Sequence, residues 1–389
     1  MTESFASTWK EIATSFLKIG ATAYGGPAIM GVMQAEIQER RQWTSKPRFL
    51  EGLGLVNVLP GATMVQLAIF LGYQRGGWWG GLLAGFCFTA PAFVVMLLLA
   101  AAYATFGVSP LLRGALYGLG PVVLAIFVTA VFRLGKSALR SWTHTLIATG
   151  AAVAALLSPL GAAAILIVAG SVGVLLFHSR RGGVLVLAIV GLAIALVPVI
   201  PWSSLGASAT AMGAPSLGGL AALFTGLGAL TFGGGLSIIA LMQEQVVERL
   251  HWLTPREFVD GLALGQLMPG PIIMVAAYVG YKTLGVTGAA VAAAASFVPS
   301  FVMMLALMPV FETVRNLAWA RAVIQGIVPG VVGVMAVALV RMAPYAAPDA
   351  PAIAVLVVTA AAMVVWRLAP LKVMGGGTVF GIVRAAVRA

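Results

Sequence analysis

Charge is what this 389-residue sequence has least of: 9% of its residues are charged, against 61% hydrophobic. Soluble domains carry roughly a quarter charged residues, so a body of 40.0 kDa with this composition lacks the polar surface to stay in water. Cysteine is nearly missing as well. Cys87 stands alone, which excludes an internal disulfide framework. With three scattered histidines, His144, His178 and His251, a metal cluster is not expected and no cofactor is implied. Acids are scarce, 11 against 23 basic residues. The net charge of +12 therefore reflects few acids rather than a dense basic patch, and nucleic acid is not an expected partner. The first residues mix Glu3, Lys10, Glu11 and Lys18 with no small-residue cleavage site, so no signal peptide is expected. What remains is a polytopic membrane protein whose surroundings are a lipid bilayer.

Apolar stretches fall near 8–33, 50–74, 79–106, 111–132, 143–158, 160–177, 183–200, 217–243, 260–281, 286–310, 322–340 and 351–366. At roughly 20 residues per crossing, these amount to about twelve crossings. They are too long and continuous for barrel strands, and a backbone in lipid must satisfy its own hydrogen bonds. The expected fold is all-α, a transmembrane helical bundle. No polar stretch between spans is long enough for a sizeable soluble domain.

The chain repeats itself at a spacing of about 208 residues. Gly20 meets Gly228, Glu36 meets Glu244, Arg41 meets Arg249 and Tyr73 meets Tyr281. Pro91/Pro299, Arg113/Arg321, Pro121/Pro329 and Arg133/Arg341 keep the register, and a one-residue insertion shifts Phe49 to Phe258 and Pro60 to Pro269. Charged matches in a chain so poor in charge are the strongest part of this pattern. The recognisable copies cover 16–134 and 224–342, giving a first repeat at 1–142, linking segments at 143–216 and a second repeat at 217–389.

If every segment spans, seven crossings separate equivalent points and the copies are inverted. Sixteen of the 23 basic residues then fall on one side, the cytoplasmic side by the positive-inside rule. If 50–74 and 260–281 are re-entrant instead, the split is 14 to 9. The inverted arrangement with both termini cytoplasmic fits better.

Each copy is interrupted twice. Gly25-Gly26-Pro27 is answered by Gly233-Gly234-Gly235, and Pro60-Gly61 by Pro269-Gly270-Pro271. Proline lacks an N–H and suits the first turn of a helix, so Pro27 and Pro271 read as starts of half-helices. Freed N–H groups and the positive end of the helix dipole then face the break, an arrangement that suits an anion. Interrupted helices at matching places in two halves point to a transporter site near the midplane. Asn57, Gln66 and Gln266 lie close enough to add side-chain donors or to make interhelical hydrogen bonds. Glu36 and Glu244 are candidates for proton coupling, or equally for surface ion pairs with Arg41 and Arg249. Glu51 and Asp260 are expected to cap helices.

The motifs resemble those of the chromate ion transporter family. The resemblance rests on Phe-Gly-Gly-Gly at 232–235, Val-Glu-Arg at 247–249, Trp252-Leu253 and Phe258. It continues through Ala263-Leu264-Gly265-Gln266, Pro269-Gly270-Pro271 and Pro299-Ser300. The first copy echoes it with Gly25-Gly26-Pro27, Glu39-Arg40-Arg41, Trp43 and Pro60-Gly61. It departs at Ala28-Ile29-Met30-Gly31, where members commonly carry a histidine, at Ala62 in place of a second proline, and at Asn57 where glutamine is usual. The resemblance implies a bacterial inner-membrane exporter of chromate, with sulfate as a related dianion, linked to the proton motive force and built of inverted halves. An importer or exchanger of sulfate or another small anion is the alternative. Homo-oligomers are compatible with the sequence. No nucleophile–base pair or nucleotide loop suggests an enzyme or an ATP-driven pump.

Overall fold

The structure is a computed structural model that describes residues 5–24, 26–106, 109–158, 160–196, 214–232, 235–310 and 318–388. Every regular element among the described residues is helical. The stretches Thr63–Phe106, Pro110–Ala138, Ile272–Leu307 and Ala318–Ala346 are long and apolar enough to cross a membrane. The fold is a helical transmembrane bundle.

The first copy opens with two hairpins. Helix α1 (Phe5–Thr22) is followed by α2 (Gly26–Met33), which widens into a π-helix at Gln34–Arg40. These segments fold back on each other: Arg41 Nη1 reaches Glu11 at 3.1 Å, Lys18 lies 4.0 Å from Glu36, and the Phe16 and Trp43 rings are 6.3 Å apart. Stretch 8–33 is therefore not one crossing. In the second hairpin α3 (Lys46–Val58) turns back at 59–62 into α4 (Thr63–Phe106), bringing the Arg48 guanidinium 6.0 Å from the Phe70 ring.

The second copy follows the same order. It comprises α9 (Leu217–Ala229), α10 (Leu236–Met242) with a π-extension at Gln243–Arg249, α11 (Pro255–Leu267), a 3-10 turn at Ile272–Met274 and α12 (Val275–Leu307). Its second hairpin is closed by the Tyr278 hydroxyl donating to the Glu257 carbonyl at 3.0 Å. Thirteen helical residues rise about 20 Å, short of the roughly 30 Å hydrocarbon core. Stretches 50–74 and 260–281 are thus hairpins that turn at their Pro-Gly, not straight crossings.

Helices α4 and α12 each contain a reversal. Gly77 has φ +63° and ψ −152°, and Gly285 has φ +65° and ψ −151°, a region open in practice to glycine alone. The chain folds back there, so that Gly72 packs on Gly80 and Gly280 on Gly288. The long second parts, 78–106 and 286–307, meet at the centre. Gly81 lies beside Leu305 and Gly85 beside Phe301, so these two equivalent segments run antiparallel. Helices α5 (Pro110–Ala138) and α13 (Ala318–Ala346) do the same, with Gly120 beside Ala346 and Gly135 beside Val332.

The ends of the copies are exchanged. Helices α6 (Trp142–Leu157) and α7 (Ala162–Phe177) pack on α13 of the second copy, whereas α14 (Ala350–Val364) and α15 (Pro370–Arg388) pack on α5 of the first. Small residues allow the approach: a Cβ at Gly118 would fall 1.9 Å from the Gly377 carbonyl oxygen, and one at Gly326 would fall 2.0 Å from that of Ala169. The starts of α6 and α14, and of α7 and α15, are again 208 residues apart. The repeat therefore extends past 142, and α8 (Arg180–Leu196) alone stands between the copies among the described residues. Composition rather than matched charges carries the likeness there, which is why the sequence pattern stops at Arg133/Arg341.

The register near the first break also differs from the expected one. The π-helices match at a spacing of 209, as do Gln42 (φ +54°) and His251 (φ +52°). The inserted residue thus precedes the π-helix. Arg40 and Glu39 are the counterparts of Arg249 and Glu248, and Glu36 corresponds to Gln245 rather than to Glu244.

Candidate functional site

The second break of each copy is hydrogen-bonded to the first break of the other. Gly61 N–H donates to the Thr231 carbonyl at 2.8 Å, and Gly270 N–H donates to the Ala23 carbonyl at 3.0 Å. Gly25, Gly233 and Gly234 lie outside the described residues, so the first breaks are seen from their flanks. Within the second copy the two breaks also touch, since a Cβ on Gly235 would lie 3.1 Å from Ile272 Cγ2. All four breaks thus converge.

Why the chain turns there is local chemistry. Gly61 has φ +124°, Gly270 φ +97° and Gly235 φ +93°, values that favour glycine. Pro60 and Pro269 end the preceding helices because they supply no N–H. Helix α2 starts at Gly26 with Pro27 in its first turn, and Pro271 precedes the 3-10 turn that leads into α12. Helices α2, α4, α10 and α12 therefore all begin at the convergence, with their positive ends toward it. No lysine or arginine occurs in 19–39, 49–74, 182–248 or 257–281. Donors at the tips are backbone N–H groups and a few hydroxyls.

Two of those hydroxyls are not among the site residues expected from the sequence. Ser300, just after Pro299, accepts from Ala62 N–H at 2.8 Å. Ser237 accepts from Phe232 N–H at 2.7 Å and donates to the Phe232 carbonyl at 3.0 Å. The sequence signal for Ser237 is its place two residues after Gly235; for Ser300 it is the preceding Pro299, one of the prolines matched in the repeat.

The expected side-chain donors behave differently from one another. Gln66 is fully buried beside Gly61; its Nε2 donates to the Pro60 carbonyl at 2.6 Å, and its Oε1 is buried without a partner. The donor end, Nε2, is the part beside Gly61, and it is already engaged by the Pro60 carbonyl. Asn57 is exposed and spends its amide on Leu53 of its own helix at 2.8 Å. Gln266 is half-buried on the last turn of α11.

Glu36 and Glu244 lie away from the tips, on the π-helices. Glu36 accepts from Arg41 at 2.9 Å and Arg40 at 3.1 Å. The Arg41 guanidinium holds the Glu36 carboxyl below the usual carboxylate range. Glu244 pairs with Arg249 at 2.9 Å and accepts the Ala162 N–H at the start of α7. A cavity of about 280 Å³ opens beside Glu244, Arg249, Glu248 and Arg341. Glu51 and Asp260 are not caps, because Ser45 and Thr254 fill those positions. Glu51 pairs with Arg48 at 3.0 Å and Asp260 with Arg256 at 3.3 Å.

The profile of the chromate transporter family matches residues 10–177 and 218–382, both copies including α6–α7 and most of α14–α15. The chain belongs to the chromate transporter family. A chromate transport protein of Cupriavidus metallidurans is 28% identical over 389 residues, covering 97% of this chain and 93% of that one. One of Pseudomonas aeruginosa is 31% identical over 355 residues, covering 90% and 84%. A probable chromate transport protein of Synechococcus elongatus is 29% identical over 351 residues, covering 89% and 87%. No solved structure matches.

Proposed function

We propose that this chromate transporter is a secondary active exporter of chromate-like tetrahedral oxyanions across the bacterial cytoplasmic membrane, driven by the proton motive force. The observation that carries the reading is the crosswise hydrogen bonding of the breaks, Gly61 to Thr231 and Gly270 to Ala23. It gathers four half-helix N-termini at one place without any buried lysine or arginine. Dipole ends and backbone donors suit an anion that must also be released. The relatives' names support chromate as the substrate. Flux of radiolabelled chromate, sulfate and phosphate into everted vesicles, with and without a proton gradient, tests the reading; gradient-independent flux, or preference for phosphate, would sink it.

We further infer that the halves are inverted. The antiparallel course of 78–106 against 286–307 and of α5 against α13 supports this. So does charge. The outer ends of the first copy's hairpins carry Lys10, Lys18, Arg40, Arg41, Lys46, Arg48 and Arg75, against Arg249, Arg256 and Lys282 in the second. Seven against three favours the cytoplasmic side for the first set. In a Cys87→Ala background, Lys46→Cys and His251→Cys are expected to react with membrane-impermeant maleimide from opposite faces. Labelling of both from the same face would reject the inversion.

The carboxylates Glu36 and Glu244 each sit in an arginine pair at the far end of a hairpin, and this favours a fastening role over proton carriage. Glu36→Gln and Glu244→Gln are expected to keep gradient-driven flux within about threefold of wild type while lowering thermal stability, as loss of a partly exposed ion pair does. Loss of gradient dependence in either variant would restore the proton-carrying role.

A further inference from the structure

Asp260 is the buried carboxyl for which the proposed mechanism has no use. It sits in the middle of α11, between the outer end of its hairpin and the Pro269-Gly270 tip, and is 5% exposed. A carboxylate at such a place in a membrane protein is costly and calls for a function. Its partners are few. Tyr103, on 78–106 of the other copy, donates its hydroxyl to Oδ2 at 3.1 Å. Oδ1 lies 3.3 Å from Arg256 Nε but has no hydrogen-bond partner. Arg256 is in turn bound to the Tyr345 carbonyl of α13 at 3.0 Å.

The remaining groups around it are polar and titratable. Tyr278, on α12, packs edge-on against Tyr103 with ring centroids 5.7 Å apart. Lys282 of the same helix lies 5.6 Å from the Tyr103 ring centroid and forms a 2.8 Å ion pair with Glu257 of α11. Asp260 thus faces one arginine on its own helix, two tyrosines on two other helices, and a lysine–glutamate pair at the hairpin's outer end. The equivalent residue of the first copy shows the contrast. Glu51 pairs with Arg48, and its side chain is 37% exposed where that of Asp260 is 7%. The same carboxyl position is open in one hairpin and covered by the tyrosines in the other.

We propose that Asp260 is the proton-carrying carboxyl of this transporter, and that Tyr103 joins its protonation state to the contact between the two copies. Ionised, the carboxylate holds α11 to segment 78–106 through the Tyr103 hydroxyl and attracts Arg256. Protonated, it loses the charge that Arg256 and the hydroxyl recognise. The second hairpin of the second copy, with its Pro269-Gly270 tip, is then freed to shift relative to the first copy. The proton binds to a carboxylate oxygen and leaves from it, and no other bond changes.

This inference rests on the proton-linked export proposed above, and the experiment separates the two. The full chain is reconstituted in liposomes, and radiolabelled chromate flux is measured in two ways: driven by a pH gradient, and as chromate–chromate exchange without one. A wild type lacking gradient-driven flux would overturn proton-linked export itself, and the role of Asp260 with it. Given a gradient-driven wild type, Asp260→Asn is expected to lose that flux at least tenfold while exchange stays within about threefold, and Asp260→Glu is expected to restore it. Retained gradient drive in Asp260→Asn would overturn the role of Asp260 alone. Should Asp260→Asn fail to fold, Tyr103→Phe decides. Losing a hydrogen bond to the charged form should move the pH midpoint of flux upward by roughly 1 unit. An unmoved midpoint would overturn the proposal.

Discussion

Replacing Gly61 with leucine is expected to reduce chromate flux by at least about a hundredfold, in a protein that still inserts and elutes as a single species. Gly61 holds φ +124°, and a Cβ there would fall 2.5 Å from Gln66 Nε2 and 2.6 Å from Ser300 Oγ. The conformation alone costs a non-glycine residue roughly 1–3 kcal/mol. The side chain must also displace the two groups that set the tip: Gln66, bound to the Pro60 carbonyl, and Ser300, bound to Ala62 N–H. Either displacement moves the Gly61 N–H off Thr231 and disturbs the convergence. A shift of about 3 kcal/mol in a transport barrier is a hundredfold in rate. Gly31→Leu, in the middle of α2 with open space around it, is the matched control and should stay near wild type. Comparable chromate flux in the two variants, both folded, would mean that the tips only pack the bundle.

The second large effect is structural. Glu11→Gln is expected to lower the unfolding temperature by several degrees and to reduce flux severalfold, read by thermal-shift chromatography and vesicle transport. Glu11 gathers Arg41 at 3.1 Å, the Trp43 indole N–H at 3.1 Å and Arg75 at 3.0 Å, and so joins α1, the end of the first hairpin and the end of the second. Its side chain and those of the two arginines are 23–36% exposed, so the loss is discounted for solvent to roughly 1–3 kcal/mol. Among the described residues the second copy has no matching knot. Gly219 stands at the matching position, and the Trp252 indole N–H, counterpart of Trp43, is buried without a partner. The hairpins of the second copy are fastened by other contacts, the Glu257–Lys282 pair and the Glu244–Arg249 pair among them. Equal stability of Glu11→Gln and wild type would show that the knot holds nothing.

Helicity, membrane residence and the two-fold repetition follow from features that act locally: apolar runs, prolines, and glycines that permit a turn. These were legible at 60–61 and 269–271 because a Pro-Gly pair stops a helix whatever surrounds it. The stretch 50–74 was harder. Its apolar length fits a crossing, and only the packing of α3 against the start of α4 shows the chain turning back. The reversals at Gly77 and Gly285 were illegible for the same reason, since a single glycine among 47 gives no local sign of φ near +63°. Side-chain roles depend still more on partners remote in sequence. Gln66 reads as a donor until Pro60 is seen to take its amide. Asp260 reads as a cap until Thr254 is found at that position and Tyr103, 157 residues earlier, is found at its carboxylate. Glu36 and Glu244 stood out because charge is rare here, and of the two roles the sequence left open for them the ion pairs with Arg41 and Arg249 are present in the structure.

The exchanged ends set a timetable for biogenesis. Helix α5 is complete at Ala138, yet its packing partners α14 and α15 begin at Ala350 and Pro370. At roughly 5–20 residues per second, the ribosome needs about ten seconds or more to reach them. For that interval the glycine-lined groove of α5 faces lipid or another protein of the membrane. Helices α6 and α7 wait in the same way for α13. The first copy therefore cannot finish folding before the second is made, and α15, made more than 200 residues after α5, closes the first half of the molecule.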